Sequence, residues 1–338
     1  MYLDRSAGRT AGRLGAAVAA CVALLSAVGC SAANEGTGVR VAADAPDAQA
    51  SATAAPKAKG GNKSGRGKTS NARPAPSAPE PAVLAQAQAH ISDGDTVGVG
   101  MPISVTFPQP VPAAERKAVE DWLRVRTSSG TTGAWSWVKD QNLYDGQRVD
   151  FRPGTTYWKP GTKVTLRVGS HGVRHFTIGR SLVATVDTNT HEMTVSTDGG
   201  TRHIPITAGA PGTDTWNGTM VVMDKQPRVL MDSSTVGLGT AYKDYYNWAV
   251  HVTASGTYVH ENERANTEAG HHNVTHGCVG LATDGTARHF YDQVMVGDVI
   301  RVTGSDKDRV AAGNGYGDWN LTWKQWLEHS AAGQTTTA

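Results

Sequence analysis

Apolar residues are spread unevenly along this chain. An unbroken apolar run at 14–28, LGAAVAACVALLSAV, follows Arg5, Arg9 and Arg13 and ends at Gly29-Cys30. At 15 residues it is shorter than the roughly 20 a membrane span needs. A charged start, an apolar centre and a small-residue exit predict a secretory signal over 1–29. Large apolar residues then almost vanish until Val83, replaced by Ala, Gly, Ser, Pro, Lys and Asn. Such a segment cannot bury enough surface to offset its ordering entropy, so 30–85 is predicted to be a disordered linker. A flexible chain of ~50 residues reaches about 40 Å.

Order is predicted from Gln86 onward. In 97–107, VGVGMPISVTF, apolar and small residues alternate toward Val105 and Phe107. Strand-like runs recur at 135–138, 149–151 and 164–168, separated by turns such as Asp145-Gly146 and Lys159-Pro160-Gly161. One helix is predicted at 113–124. Short strands at this spacing predict a β-sandwich over 86–178. Trp122, Trp135, Trp137 and Trp158 fit either its core or a sugar-binding face, with core packing the better supported.

A second β-rich region is predicted over 179–303, with strands at 182–187, 192–197, 203–206, 220–223, 229–231, 249–252, 257–260 and 299–302. A helix is expected over 283–294, started by a Thr-Asp cap. In the tail, 304–338, Trp319, Trp323 and Trp326 are spaced i, i+4 and i+7, which predicts three indoles on one face of a short helix packed on the preceding domain. The chain is thus read as mainly β.

Composition sharpens this picture at two points. Net charge is +2, but residues 1–85 carry ten Lys/Arg against five Asp/Glu, which leaves 22 against 25 for 86–338. The folded part is slightly acidic and has no basic stripe, so nucleic acid is not an expected partner. The lysines and arginines of 57–73 fit either attraction to anionic lipid or wall polymer or a solvated spacer, the spacer being the stronger reading. The 3 cysteines, at 21, 30 and 278, are too few for a disulfide framework. Cys21 lies inside the apolar run. Ala27-Val28-Gly29-Cys30 resembles a bacterial lipoprotein box, with Ala where Leu is commonest, and implies lipidation at Cys30; ordinary cleavage nearby is the alternative.

The chemistry concentrates in 256–281, GTYVHENERANTEAGHHNVTHGCVGL, which holds His260, His271, His272, His276 and Cys278. A buried structural thiol is one reading, though Gly277 and Gly280 beside it favour an exposed turn. A zinc site using His260, His272 or His276 with Cys278 is a second, without a recognisable ligand spacing. The third is a cysteine nucleophile whose proton passes to a histidine, the two held as an ion pair.

His260 followed by Thr275-His276-Gly277-Cys278, with the lead-in Gly256-Thr257-Tyr258-Val259 and Asn273, resembles the signature of the L,D-transpeptidases, the YkuD-type enzymes of bacterial cell walls. Residues 231–246 resemble the strand and flap of actinobacterial members, 86–178 their immunoglobulin-like domain, and 318–326 their tryptophan-containing tail. The resemblance implies an immunoglobulin-like sandwich, a YkuD-like catalytic domain and a short helical tail. It also implies that Cys278 attacks a peptidoglycan tetrapeptide stem, releases D-alanine and passes the acyl group to an amine as a 3→3 cross-link. His260 would be base and acid, oriented by the Glu261 carbonyl, with His276 supporting the site. Gly277 and Cys278 amides would hold the oxyanion, and Tyr242, Met231, Asn273 and Thr275 would meet substrate. Carbapenem-type β-lactams would acylate Cys278, and this chemistry needs no metal or organic cofactor. The implied location is the outer membrane face and cell wall. Gly280 stands where Asn or Arg is usual, removing a side-chain donor, and Arg264 stands where an aromatic is common. A carboxypeptidase with the same acyl-enzyme and a non-catalytic wall-binding lipoprotein are the alternatives.

Overall fold

The computed structural model describes residue 76 and residues 78–337, so Cys21, Cys30, the signal and most of the linker lie outside the described residues. The N-terminal module is a sandwich of two sheets. One has the strand order Gln88–Ala89, Ile103–Thr106, Arg148–Pro153, Thr132–Trp137, Thr335–Thr336, and the other Thr96–Val97, Gly172–Ile178, Lys163–Val168, Leu123–Thr127. Alternation sends Val149, Phe151 and Trp135 inward to meet Leu166, Phe176 and Ile178. Trp135 crosses Phe151 edge-on at 5.4 Å, and Trp158 stacks on its other side at 6.0 Å. Trp135, Trp137 and Trp158 are buried and offer no face to a sugar.

Several elements depart from expectation. Packing starts before Gln86, because Ala82–Gln86 forms a 3-10 turn that buries Leu84 completely, and Glu80 accepts the Ser170 amide at 2.7 Å. The surrounding polar composition masks that one anchoring leucine. The helix Ala113–Trp122 stops two residues early, and Leu123, Val125 and Thr127 alternate inward as a strand. The strand Gly172–Ile178 carries Arg174 and His175 in its outer half and reads as polar.

The core of the C-terminal module lies between a five-stranded sheet and a four-stranded one. The first runs Gly200–Pro205, Glu192–Thr197, Leu182–Asp187, Val299–Thr303, Gly218–Val221; the second runs Asp224–Asp232, Lys243–His251, Tyr258–Glu261, Val279–Leu281. Leu182, Met193, Ile300, Val250, Val279 and Phe290 fill the space between. Phe290 comes from the helix Thr286–Gln293, which begins three residues later than expected: Asp284 caps the Thr286 amide at 3.0 Å, while Thr283 is held by Asn266.

The two modules are joined by close backbone contact. Gly98 and Gly100 amides donate to Val296 and Gly297 carbonyls at 2.8 Å each, and a Cβ on Gly98 would lie 2.3 Å from the Asp298 nitrogen. Only glycine fits there. The tail covers the outer face of the strand Arg148–Pro153, so all six of its residues are buried. Its tryptophans do not share one helix: Trp319 sits in the 3-10 turn Asp318–Asn320, and the helix Trp323–Glu328 starts afterwards behind a Thr322/Gln325 capping box. Trp326 is fully buried with Nε1 donating to the Ala134 carbonyl, while Trp319, Trp323 and Trp326 all meet the Arg152 guanidinium.

Candidate active site

Strand register brings the key side chains together. The parallel pairing of Tyr258–Glu261 with Val279–Leu281 sets Val259 opposite Val279 and His260 opposite Gly280. Side chains alternate along each strand, so His260 and Asn262 share a face with Gly280 and Cys278. Cys278 precedes its strand directly, after Gly277 turns the chain at φ +109°, where a Cβ would be strained. Thr275 braces that turn: its hydroxyl donates to the Cys278 carbonyl at 2.6 Å and accepts the Gly277 amide at 3.3 Å.

His260 and Cys278 are both buried on the floor of a cleft of about 330 Å³. The Glu261 carbonyl lies 2.6 Å from His260 Nδ1. A carbonyl only accepts, so Nδ1 carries the proton and Nε2 keeps its lone pair. Cys278 Sγ accepts the Tyr258 amide at 3.4 Å. Burial pushes the His260 pKa down to about 4, against the pull of the Glu261 carbonyl. Burial likewise pushes the Cys278 thiol up to about 11, against the Tyr258 amide. Both shifts favour the neutral imidazole and neutral thiol over an ion pair.

A hairpin formed by Asp224–Asp232 and Lys243–His251 roofs the cleft. Its register pairs Met231 with Asp244 and Val229 with Tyr246, and alternation puts these four on one face. Tyr246 meets the His260 ring edge-on at 4.7 Å, Tyr242 lies 6.3 Å from Tyr246, and His276 lies 5.3 Å from Tyr242. A run of rings thus extends from the buried imidazole to the cleft mouth.

Residues 181–302 match the family model described as the L,D-transpeptidase catalytic domain, and 45–174 match that of a bacterial Ig domain. L,D-transpeptidase 1 of Mycobacterium tuberculosis strain H37Rv is 37% identical over 205 residues, covering 59% of this chain and 77% of that protein. The chain belongs to the L,D-transpeptidase family. L,D-transpeptidase 2 of Mycobacterium tuberculosis strain CDC 1551 / Oshkosh is 32% identical over 236 residues, 64% of this chain, which spans 56% of that relative's length. A solved L,D-transpeptidase in complex with imipenem superposes with a TM-score of 0.57 at 35% identity, covering 64% of this chain and 97% of that one.

Of the residues the L,D-transpeptidase signature singles out, Cys278, His260, Glu261, Thr275, His276, Tyr242 and Met231 all border the cleft. Asn273 does not. Its carboxamide accepts the Ala208 amide at 3.0 Å and donates to the Thr188 carbonyl at 2.9 Å, fastening the loop from below. This corrects its expected contact with substrate. His276 is exposed and stands against Tyr242 at the mouth rather than behind His260. The Gly277 amide is turned to Thr275, so it reaches an oxyanion only by leaving that weak bond. His272, one of the histidines of the zinc reading, is exposed and bonded to Glu268 at 3.1 Å, and among the described residues no three His, Cys, Asp or Glu side chains are grouped to hold a metal ion. Tyr246 and Asn262 border the cleft without having been singled out. The alternation of the strand carrying Tyr246 was the available signal; nothing in the sequence marked Asn262.

Proposed function

We propose that this chain is a peptidoglycan L,D-transpeptidase acting through a thioester on Cys278. The observation that carries the reading is the buried Cys278/His260 pair on adjacent parallel strands at the floor of the cleft, with Nε2 free to accept a proton. Cys278 Sγ attacks the carbonyl of the diamino acid in a tetrapeptide stem while its proton passes to His260 Nε2. The C–N bond to D-alanine breaks, and the imidazolium returns the proton to the departing amine. An acceptor-stem amine then loses a proton to His260 and attacks the thioester, which restores the thiol and leaves a 3→3 cross-link. Met231, Tyr242 and Tyr246 line the cleft above the thioester position, and the access they leave to water against an amine decides between cross-linking and hydrolysis.

The reading includes acylation of Cys278 by carbapenem-type β-lactams, in line with the imipenem complex of a related enzyme. It also includes export and lipid anchoring at Cys30, supported by the leader and its lipoprotein-like box. Loss of lipid labelling in Cys30→Ala tests the anchor.

Intact-mass measurement of the protein with a carbapenem, beside Cys278→Ala, tests the nucleophile. An adduct confined to the wild type is expected, and no adduct, or equal adducts, overturns the assignment. Disaccharide-tetrapeptide should give 3→3 dimers. Tripeptide alone would make the enzyme a carboxypeptidase.

A further inference from the structure

Buried Gly280 is a notch paired directly opposite His260, beneath Asn262 of the cleft wall. A Cβ built there would lie 2.9 Å from Thr207 Cγ2 and 3.0 Å from Asn262 Cβ, with Asn262 Cγ at 3.4 Å. The space a side chain would need is already occupied. Thr207 cannot yield, because its hydroxyl donates to the His272 carbonyl at 2.8 Å and accepts the Val274 amide at 3.0 Å, and its backbone exchanges two hydrogen bonds with Gly280. Asn262 is therefore the group that depends on the notch.

Asn262 follows His260 by two residues and shares its face, so its side chain leans over Gly280 while bordering the cleft. The Arg264 amide donates to Asn262 Oδ1 at 2.9 Å. That bond fixes which end of the carboxamide is oxygen and ties the turn after the strand. The remaining NH₂ has two donors for an occupant of the cleft. An amide group held at one end and lodged in a notch loses little rotational freedom on binding, which favours selective recognition.

We propose that Asn262 is a specificity-determining residue of this cleft, its NH₂ donating to a main-chain carbonyl oxygen of the bound acyl-donor peptide, and that Gly280 provides the vacancy that places it. The inference rests on the transpeptidase reading above. The donor missing from position 280 is thus supplied from the neighbouring strand.

The test compares wild type, Asn262→Ala and Asn262→Asp, with disaccharide-tetrapeptide as the probe. A neutral hydrogen bond in a partly wet cleft corresponds to about a five- to tenfold loss. Asn262→Ala is expected to lower kcat/KM by that factor through KM. Asn262→Asp keeps the shape and the bond to the Arg264 amide but loses the donors, and should be no better than Ala. Thermal melting confirms that the single variants fold. Unchanged kcat/KM in Asn262→Ala, or wild-type behaviour in Asn262→Asp, overturns the proposal. If the wild type itself forms neither acyl adduct nor product, the transpeptidase reading fails instead, so the two failures are distinguishable.

Discussion

The resting charge state of Cys278 is open to direct measurement. Moving a proton from a thiol with pKa about 11 to an imidazole with pKa about 4 crosses seven units. That costs about 10 kcal/mol before the two new charges attract. At ~4 Å and an effective dielectric of ~20 the attraction returns about 4 kcal/mol. The neutral pair wins by several kcal/mol. The thiolate is thus formed only as a carbonyl arrives to take the charge. At pH 7 a thiol with pKa about 11 is ionised to about 1 part in 10⁴, a hundredfold less than one at the ordinary 9.0.

The assay is alkylation by iodoacetamide, followed by intact mass from pH 6 to pH 10, with Cys278→Ala as the blank. The rate constant should climb about tenfold per pH unit with no plateau below pH 10, since only the thiolate reacts. His260→Ala should leave the slope between pH 7 and 9 unchanged, because the imidazole is not stabilising a resting thiolate. A flat, fast profile between pH 5 and 8 that collapses in His260→Ala would demonstrate an ion pair and refute this account.

Three further perturbations test the surroundings. The folded-state pKa of His260 lies below its ordinary 6.5, at about 4, so its contribution is present above pH 6.5 and lost as pH falls through 4. That is roughly 3 kcal/mol, and a His260→Gln variant should flatten this part of the urea-midpoint profile. Asp318 is fully buried with Oδ1 3.9 Å from Arg148 Nη2, and burial with the neighbouring Asp150 charge holds its carboxyl well above the usual range, against the pull of Arg148 and Arg152. An acid raised in this way costs stability once the unfolded carboxyl ionises, so Asp318→Asn should raise the melting temperature at pH 7 and lose that advantage near pH 3.5. Trp326→Ala should lose about 3–5 kcal/mol in chemical denaturation, from a cavity beneath the tail and an orphaned Ala134 carbonyl.

Strands with clean alternation were legible in the sequence to the residue. Leu182–Asp187 and Glu192–Thr197 have one buried face each and no ambiguity of register. The hairpin over the cleft was read as two short pieces, because Gln226, Pro227 and Arg228 interrupt its apolar pattern, and the strands continue past Pro227 with Gln226 opposite Ala249 and Arg228 opposite Asn247. The site's chemistry was legible through a resemblance: Thr275-His276-Gly277-Cys278 alone is a weak signal, but with His260, its lead-in Gly256-Thr257-Tyr258-Val259 and Asn273 it resembles the L,D-transpeptidase signature. Its charge state was not: His260 and Cys278 look ordinary until the strands bury them. Asn262 escaped for a related reason. Its placement depends on the absence of a side chain at a residue eighteen positions away in sequence, adjacent only through parallel pairing.

The tail explains why the sandwich and the catalytic region form one structure. Arg148, on the sandwich strand, binds Asp150 and Asp140 and donates to the Gly315 carbonyl at 3.0 Å. The adjacent Asn314 is buried; its carboxamide accepts the Ser255 amide and donates to the Ser255 hydroxyl, each at 2.8 Å. Ser255 precedes Gly256, whose carbonyl lies 3.8 Å from Cys278 Sγ and on which a Cβ would lie 2.8 Å from Val236 Cγ1 at the tip of the roof. A buried guanidinium is costly to desolvate, and its partners here come from both the sandwich and the tail, so leaving either would strand the charge. The arrangement holds the tail against the loop behind the nucleophile, which needs a fixed carbonyl and a fixed roof contact more than it needs flexibility. On this architecture the sandwich is a rear support of the thiol.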